Sequence, residues 1–295
     1  MKILLRIFYA LILSSGVFYG CETVAPETVD PSLVVADRLV NEFVTIQSET
    51  QDILNIVADV LIRQKDTIPD ASSTPILDTF DDCGAEIMIV KTDADTTQIT
   101  INFTNTSCNA TVTQKVRQGK ITINQVGTLG YLDAGHEMQV SFTDFQLNTR
   151  TISGSITVKN VSKSALTVED TVKQQLNYKD VILKDNGTKY QLTSGYQERG
   201  LISGLVSRSI GDDIYWADST NYSIQSSDNQ IYTLTHNTTA DNSLTFNFIC
   251  WQNQIFFPNQ GDIQVILANA GESNFTADVN FGTGACDPFK TITLQ

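Results

Sequence analysis

Hydrolytic chemistry needs a nucleophile with a base beside it, and this chain offers few bases. Its 295 residues include two histidines, His136 and His236. His136 follows Gly135 in a predicted turn and His236 closes a predicted strand, so both are expected as surface imidazoles. No G-x-S-x-G stretch presents a serine at an elbow, and no phosphate-cradling glycine loop occurs. The 33 acids leave a two-carboxylate glycosidase mechanism open but single out no pair. Asp93-Ala94-Asp95-Thr96-Thr97 begins like a calcium loop, yet Gln98 and Thr104 stand where the loop's glycine and glutamate belong, so it reads as a hairpin turn. Trp216, beside Tyr215, and Trp251, within the aromatic stretch from Phe246, are the candidates for stacking on a ligand ring. No catalytic residue, metal site or cofactor is assigned.

Cysteine carries the clearer signal. Lys2 and Arg6 precede an apolar run from Ile7 to Leu13, and residues 1–20 read as an export signal too short to span a bilayer. The run closes on Val17-Phe18-Tyr19-Gly20-Cys21, which resembles the lipobox of bacterial lipoproteins. That resemblance implies a diacylglyceryl group on the Cys21 sulfur and an acylated amino terminus, hence stable attachment to a membrane. The remaining cysteines, Cys83, Cys108, Cys250 and Cys286, form an even set in an exported chain, which points to two disulfides with three possible pairings. An internal repeat chooses among them. Asn102-Phe103 stands five residues before Cys108 as Asn280-Phe281 stands before Cys286, and each segment leads into a Thr-Val-Thr or Thr-Ile-Thr triplet. The expected links are Cys83–Cys108 and Cys250–Cys286. Four cysteines without any C-x2-C spacing do not suggest zinc.

These residues need a scaffold. Residues 21–29 read as a tether and Asp30-Pro31-Ser32 as a helix start. Val35, Leu39, Val40, Phe43, Ile46, Ile53, Ile56, Val57, Val60 and Leu61 then recur at three- and four-residue spacing, so 30–65 is an amphipathic helix, or two, expected to pack on the chain's own sheet. Residues 66–82, with Pro69 and Pro75, read as a linker. From Cys83 to Gln295 the pattern has period two, as in Ile99-Thr100-Ile101-Asn102-Phe103, which predicts half-buried strands. Asp185-Asn186-Gly187 is the strongest hairpin signal; Asp133-Ala134-Gly135, Ser227-Asp228-Asn229 and Asp241-Asn242 are weaker ones. A phase slip at Thr143-Asp144 predicts a bulge. The fold class is therefore all-β: an antiparallel meander of about a dozen strands preceded by an amphipathic helix. It is either a strongly curved sheet or a two-layer, sandwich-like arrangement, and the need for a buried face favours two layers.

The net charge of −14 excludes a phosphate-neutralising nucleic-acid binder. Residues 21–82 hold three bases against thirteen acids, so the acidic excess lies near the lipid end. Four Asp-Thr or Asp-Ser tripeptides, at Thr67, Thr96, Thr171 and Ser219, resemble the O-glycosylation motif of Bacteroidetes envelopes.

The β region as a whole resembles a group of uncharacterised, β-rich lipoproteins of Bacteroidetes-type envelopes. The residues that carry the resemblance are the Cys83-to-Cys108 segment, Arg117-Gln118-Gly119-Lys120-Ile121, and the hairpin Phe142–Asn148 returning through Ile152–Asn160. The closing stretch, Cys250-Trp251 to Asn280-Phe281-Gly282 and Cys286-Asp287, belongs with them. Asn102-Phe103-Thr104 stands where those proteins carry an acid and a glycine. The resemblance implies an outer-membrane lipoprotein, periplasmic or surface-facing, and no particular activity. The expected function is a non-catalytic binding or structural role in the cell envelope, with a membrane partner through Cys21 and a glycan, lipid or envelope protein as ligand. The alternatives are a carbohydrate-active enzyme using paired carboxylates and a carrier holding a lipid or sugar in an apolar cavity.

Overall fold

Proline suits the first turn of a helix because its missing N–H would have no acceptor there. The chain accordingly turns helical at Pro31 and runs without a break as α1 (Pro31–Arg63), one helix of 33 residues. The computed structural model describes residues 30–63, 76–80, 83–103, 115–163, 172–203, 214–225, 230–235, 243–253, 257–267 and 275–295. No helix among them is long and apolar enough to cross a membrane.

Among the described residues fourteen strands follow: β1 (Ile76–Phe80), β2 (Cys83–Lys91), β3 (Thr96–Phe103), β4 (Arg117–Val126), β5 (Glu137–Leu147), β6 (Arg150–Asn160) and β7 (Val172–Asp185). Then come β8 (Thr188–Ser203), β9 (Ile214–Gln225), β10 (Ile231–Thr235), β11 (Leu244–Asn247), β12 (Gln260–Leu267), β13 (Phe275–Thr283) and β14 (Thr291–Leu294). They form one antiparallel sheet in chain order, except that β10 pairs β12 directly while β11 sits beside β12 and β9. A 3-10 turn over Phe248–Asn253 follows β11.

The face pattern is regular. In β3, Ile99, Ile101 and Phe103 point inward and are buried, while Thr100 and Asn102 point outward. Ile121 and Ile123 of β4 and Ile156 and Val158 of β6 repeat the pattern, with Lys120, Thr122, Thr157 and Lys159 outside. At these positions of β3, β4 and β6 the outward side chains are polar.

Every residue of α1 from Ile46 to Ala58 is buried. That run exceeds three turns and so covers the whole circumference of the helix. A flat sheet would shield one side only; the sheet therefore curls around α1. Of the two arrangements the sequence allows, the structure is the single curved sheet rather than two sheets face to face. The helix supplies the second layer.

Paired irregularities accompany the curvature. Asp144 adopts φ 49° opposite Gly119, where the β4–β5 register shifts. Asp180 adopts φ 48° opposite Gly154, where the β6–β7 register shifts in the same way. The bulge expected at Thr143-Asp144 is thus present and recurs two strands on; such bulges bend and twist a sheet locally. Asn186 (φ 48°) and Gly187 (φ 86°) form the expected two-residue turn between β7 and β8. Asp93 Oδ1 accepts the Asp95 N–H in the expected β2–β3 turn.

Three expectations are corrected. The stretch read as a linker contains β1, which pairs with β2 from Ile76↔Ile87 to Phe80↔Cys83; a five-residue strand behind two prolines is too short to show a period. Asp133-Ala134-Gly135 lies within a longer β4–β5 connection rather than a tight hairpin turn. His136 is buried, with its ring edge-on to Tyr131 at 6.1 Å between centroids. Most polar residues in the middle of α1 are buried as well, as the next section shows. Ser227-Asp228-Asn229 and Asp241-Asn242 lie outside the described residues.

Candidate functional site

An amphipathic helix normally turns its polar stripe to water. Here Gln47, Glu49, Gln51, Asp52 and Asn55 are buried, and the concave face of the sheet answers most of them with cations. Lys115 and Arg117 have the inward parity of Ile121 and Ile123, so the start of β4 carries charge where its remainder carries core. Lys115 Nζ donates to Glu49 Oε2 at 2.9 Å. Arg117 donates twice to Asp52, Nη2 to Oδ1 at 2.8 Å and Nε to Oδ2 at 3.3 Å. Arg150 bridges Glu49 (2.6 Å) and Asp185 (3.0 Å). Arg199 of β8 donates to Gln51 Oε1 (2.8 Å) and Gln174 Oε1 (2.9 Å), and its guanidinium lies 4.8 Å from the Tyr215 ring centroid. Gln47 Nε2 donates to the Tyr222 hydroxyl at 2.6 Å.

Burial alone would push the Asp52 carboxyl up. The charges of Arg117 and Lys115 and the Arg117 hydrogen bond outweigh it and hold the group below the ordinary carboxylate range. Asp52 is therefore held ionised, the reverse of what a general acid near neutrality needs. Burial pushes the Tyr178 hydroxyl up to about 12, against the opposing charge of Arg199, and that hydroxyl donates to Gln197 Oε1 at 2.6 Å. Such pairs repay little more than their own desolvation. Their effect is selective: α1 shifted by one turn would strand these charges unpaired.

A second feature lies where α1 ends. Leu61, the β2–β3 turn, the ends of β3 and β4 and the β4–β5 connection surround a cleft of about 320 Å³. Thr97 and Gln125 are directly opposed across β3 and β4 and form part of its floor. Gly127 N–H donates to the Asp95 carbonyl at 2.6 Å, tying the two rims together. Tyr131 also lines the cleft, and its hydroxyl stands 3.5 Å from Arg199 Nη2.

The residues marked by sequence fare differently. Cys250 and Cys286 are joined, with Cα atoms 5.1 Å apart. Phe103 and Phe281, the repeated phenylalanines, are both buried near the ends of β3 and β13. Cys83 begins β2, but its side chain and Cys108 lie outside the described residues, as do Cys21, Thr67, Thr171 and the side chains of Trp251 and Ser219. Thr96 opens β3. Trp216 points outward, its indole laid across Gly200, where any Cβ would collide with the ring, and Lys173 Nζ stands 5.6 Å from its centroid. That ring fills a glycine's vacancy on the sheet. Among the described residues no group of three or more His, Cys, Asp or Glu is placed to hold a metal ion.

Sequence reasoning missed the cationic concave face. Its one signal was a charged residue in phase with core positions, Arg117 two residues before Gly119 and four before Ile121. No family model, no curated protein and no solved structure matches the chain.

Proposed function

We propose that this protein is a lipid-anchored lipoprotein of the cell envelope, held at the outer membrane through Cys21, with a non-catalytic binding or structural role. The observation that carries the reading is Cys21 itself, a cysteine directly after a small residue and an apolar run. Two or more acyl chains on one residue give stable attachment, each buried methylene contributing about 0.8 kcal/mol. The resemblance to Bacteroidetes-type envelope lipoproteins points the same way.

The fold supports the non-catalytic part. The most deeply buried ionic groups are committed to one another across the helix–sheet seam. Side chains of α1 fill the concave face that a carried lipid would need. The polar outward positions of β3, β4 and β6 and the Cys250–Cys286 disulfide suit a body that stands in water beside a membrane.

Metabolic labelling with an alkyne fatty acid tests the anchor. The wild-type chain should incorporate label and sediment with membranes, and Cys21→Ser should do neither. Undiminished labelling of Cys21→Ser, or unlabelled wild-type protein released into the medium, refutes the reading.

A further inference from the structure

The geometry points to a binding site for a small aliphatic ammonium in the cleft at the carboxyl end of α1, a ligand class for the binding role proposed above. The inference stands on the cleft alone and survives if the Cys21 anchor fails.

Lys115, Arg117 and Arg199 on the inner face of this sheet are matched with α1. Two polar side chains at the cleft are not. Thr97 and Gln125 are 6% and 3% exposed, and both face the cleft. Gln125 Nε2 donates to the Leu129 carbonyl at 2.6 Å, which fixes the amide's orientation and leaves Oε1 as a spare acceptor. Among the described residues neither that oxygen nor the Thr97 hydroxyl has a hydrogen-bond partner. Neither atom is sealed off from the cleft, so a molecule entering it can reach both. A ligand that donates hydrogen bonds would meet both.

The sign of the charge follows from three further groups. Asp95 and Asp133 line the cleft against the single cation of its lining, Lys91. The Asp95 carboxylate has no partner among the described residues. Asp133 uses Oδ2 to accept the Gly130 N–H, which leaves Oδ1 for a ligand. Leu61 belongs to the last turn of α1, the negative end of the helix dipole. Leu61, Ile99, Leu129 and the Tyr131 ring give it an apolar wall. A volume of about 320 Å³ stands at the small end of ligand sites. Acceptors in excess, net negative charge and an apolar wall select a short alkyl stem with an ammonium head. The same head could arrive as a free amine or as a lysine side chain on a peptide.

Titration of the mature chain with n-butylammonium at low salt, followed by backbone amide NMR, tests this. Sodium butyrate and 1-butanol serve as controls of equal stem. Butylammonium should saturably shift the amides of Gly127 to Asp133, and the controls should not. Asp95→Asn should weaken binding about threefold and Thr97→Val about fivefold, both without change in the urea midpoint. Nα-acetyl-lysine methylamide in the same titration separates the two sources: tighter binding than butylammonium identifies a peptide lysine, weaker binding a free amine. Equal shifts with all three four-carbon probes, no saturable shift, or unchanged affinity in both variants overturns the assignment.

Discussion

Arg117, the first residue of β4, holds Asp52 of α1 through two nitrogens, at 2.8 and 3.3 Å, and neither side chain reaches solvent. The pair fixes the rotation of the helix against the sheet. Removing one partner of a buried pair leaves the other charged and unmatched, which costs about 3–5 kcal/mol. Asp52→Asn and Arg117→Met should each lower stability by that order in urea melts. The double variant Asp52→Leu with Arg117→Met should be more stable than either single variant. Additive losses would show that the two residues act independently.

Acid should unfold the protein in two stages. Burial pulls the His136 pKa down, partly opposed by Asp133. The unfolded chain therefore takes up that proton first, so the contribution is whole above about pH 6.5 and is lost as pH falls towards the lower folded value. Asp52 is also depressed, so its contribution is whole above about pH 4 and disappears as pH falls through its folded value. The urea midpoint should decline first as pH falls below about 6.5 and again below about pH 4. His136→Gln should flatten the first decline and leave the second. An identical upper decline in that variant would falsify the assignment to His136.

Glycines at the bulges differ from the glycine at the turn. A Cβ on Gly119 (φ 81°) or Gly154 (φ 101°) would strike the backbone of Asp144 or Asp180, respectively. Gly187 has φ 86° but open space around it. Gly119→Ala and Gly154→Ala should each cost roughly 3 kcal/mol, from strain plus collision. Gly187→Ala should cost only about 1 kcal/mol. Equal losses at all three positions would remove the collision from the account.

The Cys250–Cys286 link closes a loop of 36 residues, worth about 4 kcal/mol in the chain-entropy view. Cys286→Ser should lower the urea midpoint accordingly. Peptide mapping without reduction should also recover Cys83 joined to Cys108; a fragment linking Cys83 to Cys250 or Cys286 would break the repeat on which that pairing rests.

Local signals were legible where a residue's own conformation decides the structure. Asn186-Gly187 tolerates positive φ, and Asp30-Pro31 opens a helix. The slip at Asp144 marked its bulge because period two fails there visibly. What depends on distant partners was not legible. The helix's apolar spacing says nothing of Glu49 and Asp52, whose partners Lys115 and Arg117 come more than sixty residues later. His136 read as exposed because a glycine precedes it; Tyr131 and the β4–β5 connection cover it. The cleft joins Leu61, Thr97 and Gln125, which no spacing rule connects.

Lys290 Nζ, just ahead of the final strand, bonds Asn41 Oδ1 at 2.8 Å and Asp37 Oδ1 at 3.0 Å across a sequence separation of 249 residues for the first of these. The helix is made first during synthesis, and its seat is finished last. Until β14 arrives, a charged rod waits for walls that do not exist. A contact so distant in the chain can form only once both of its ends are made. Quality control acting on half-made copies would meet an orphaned, acidic helix.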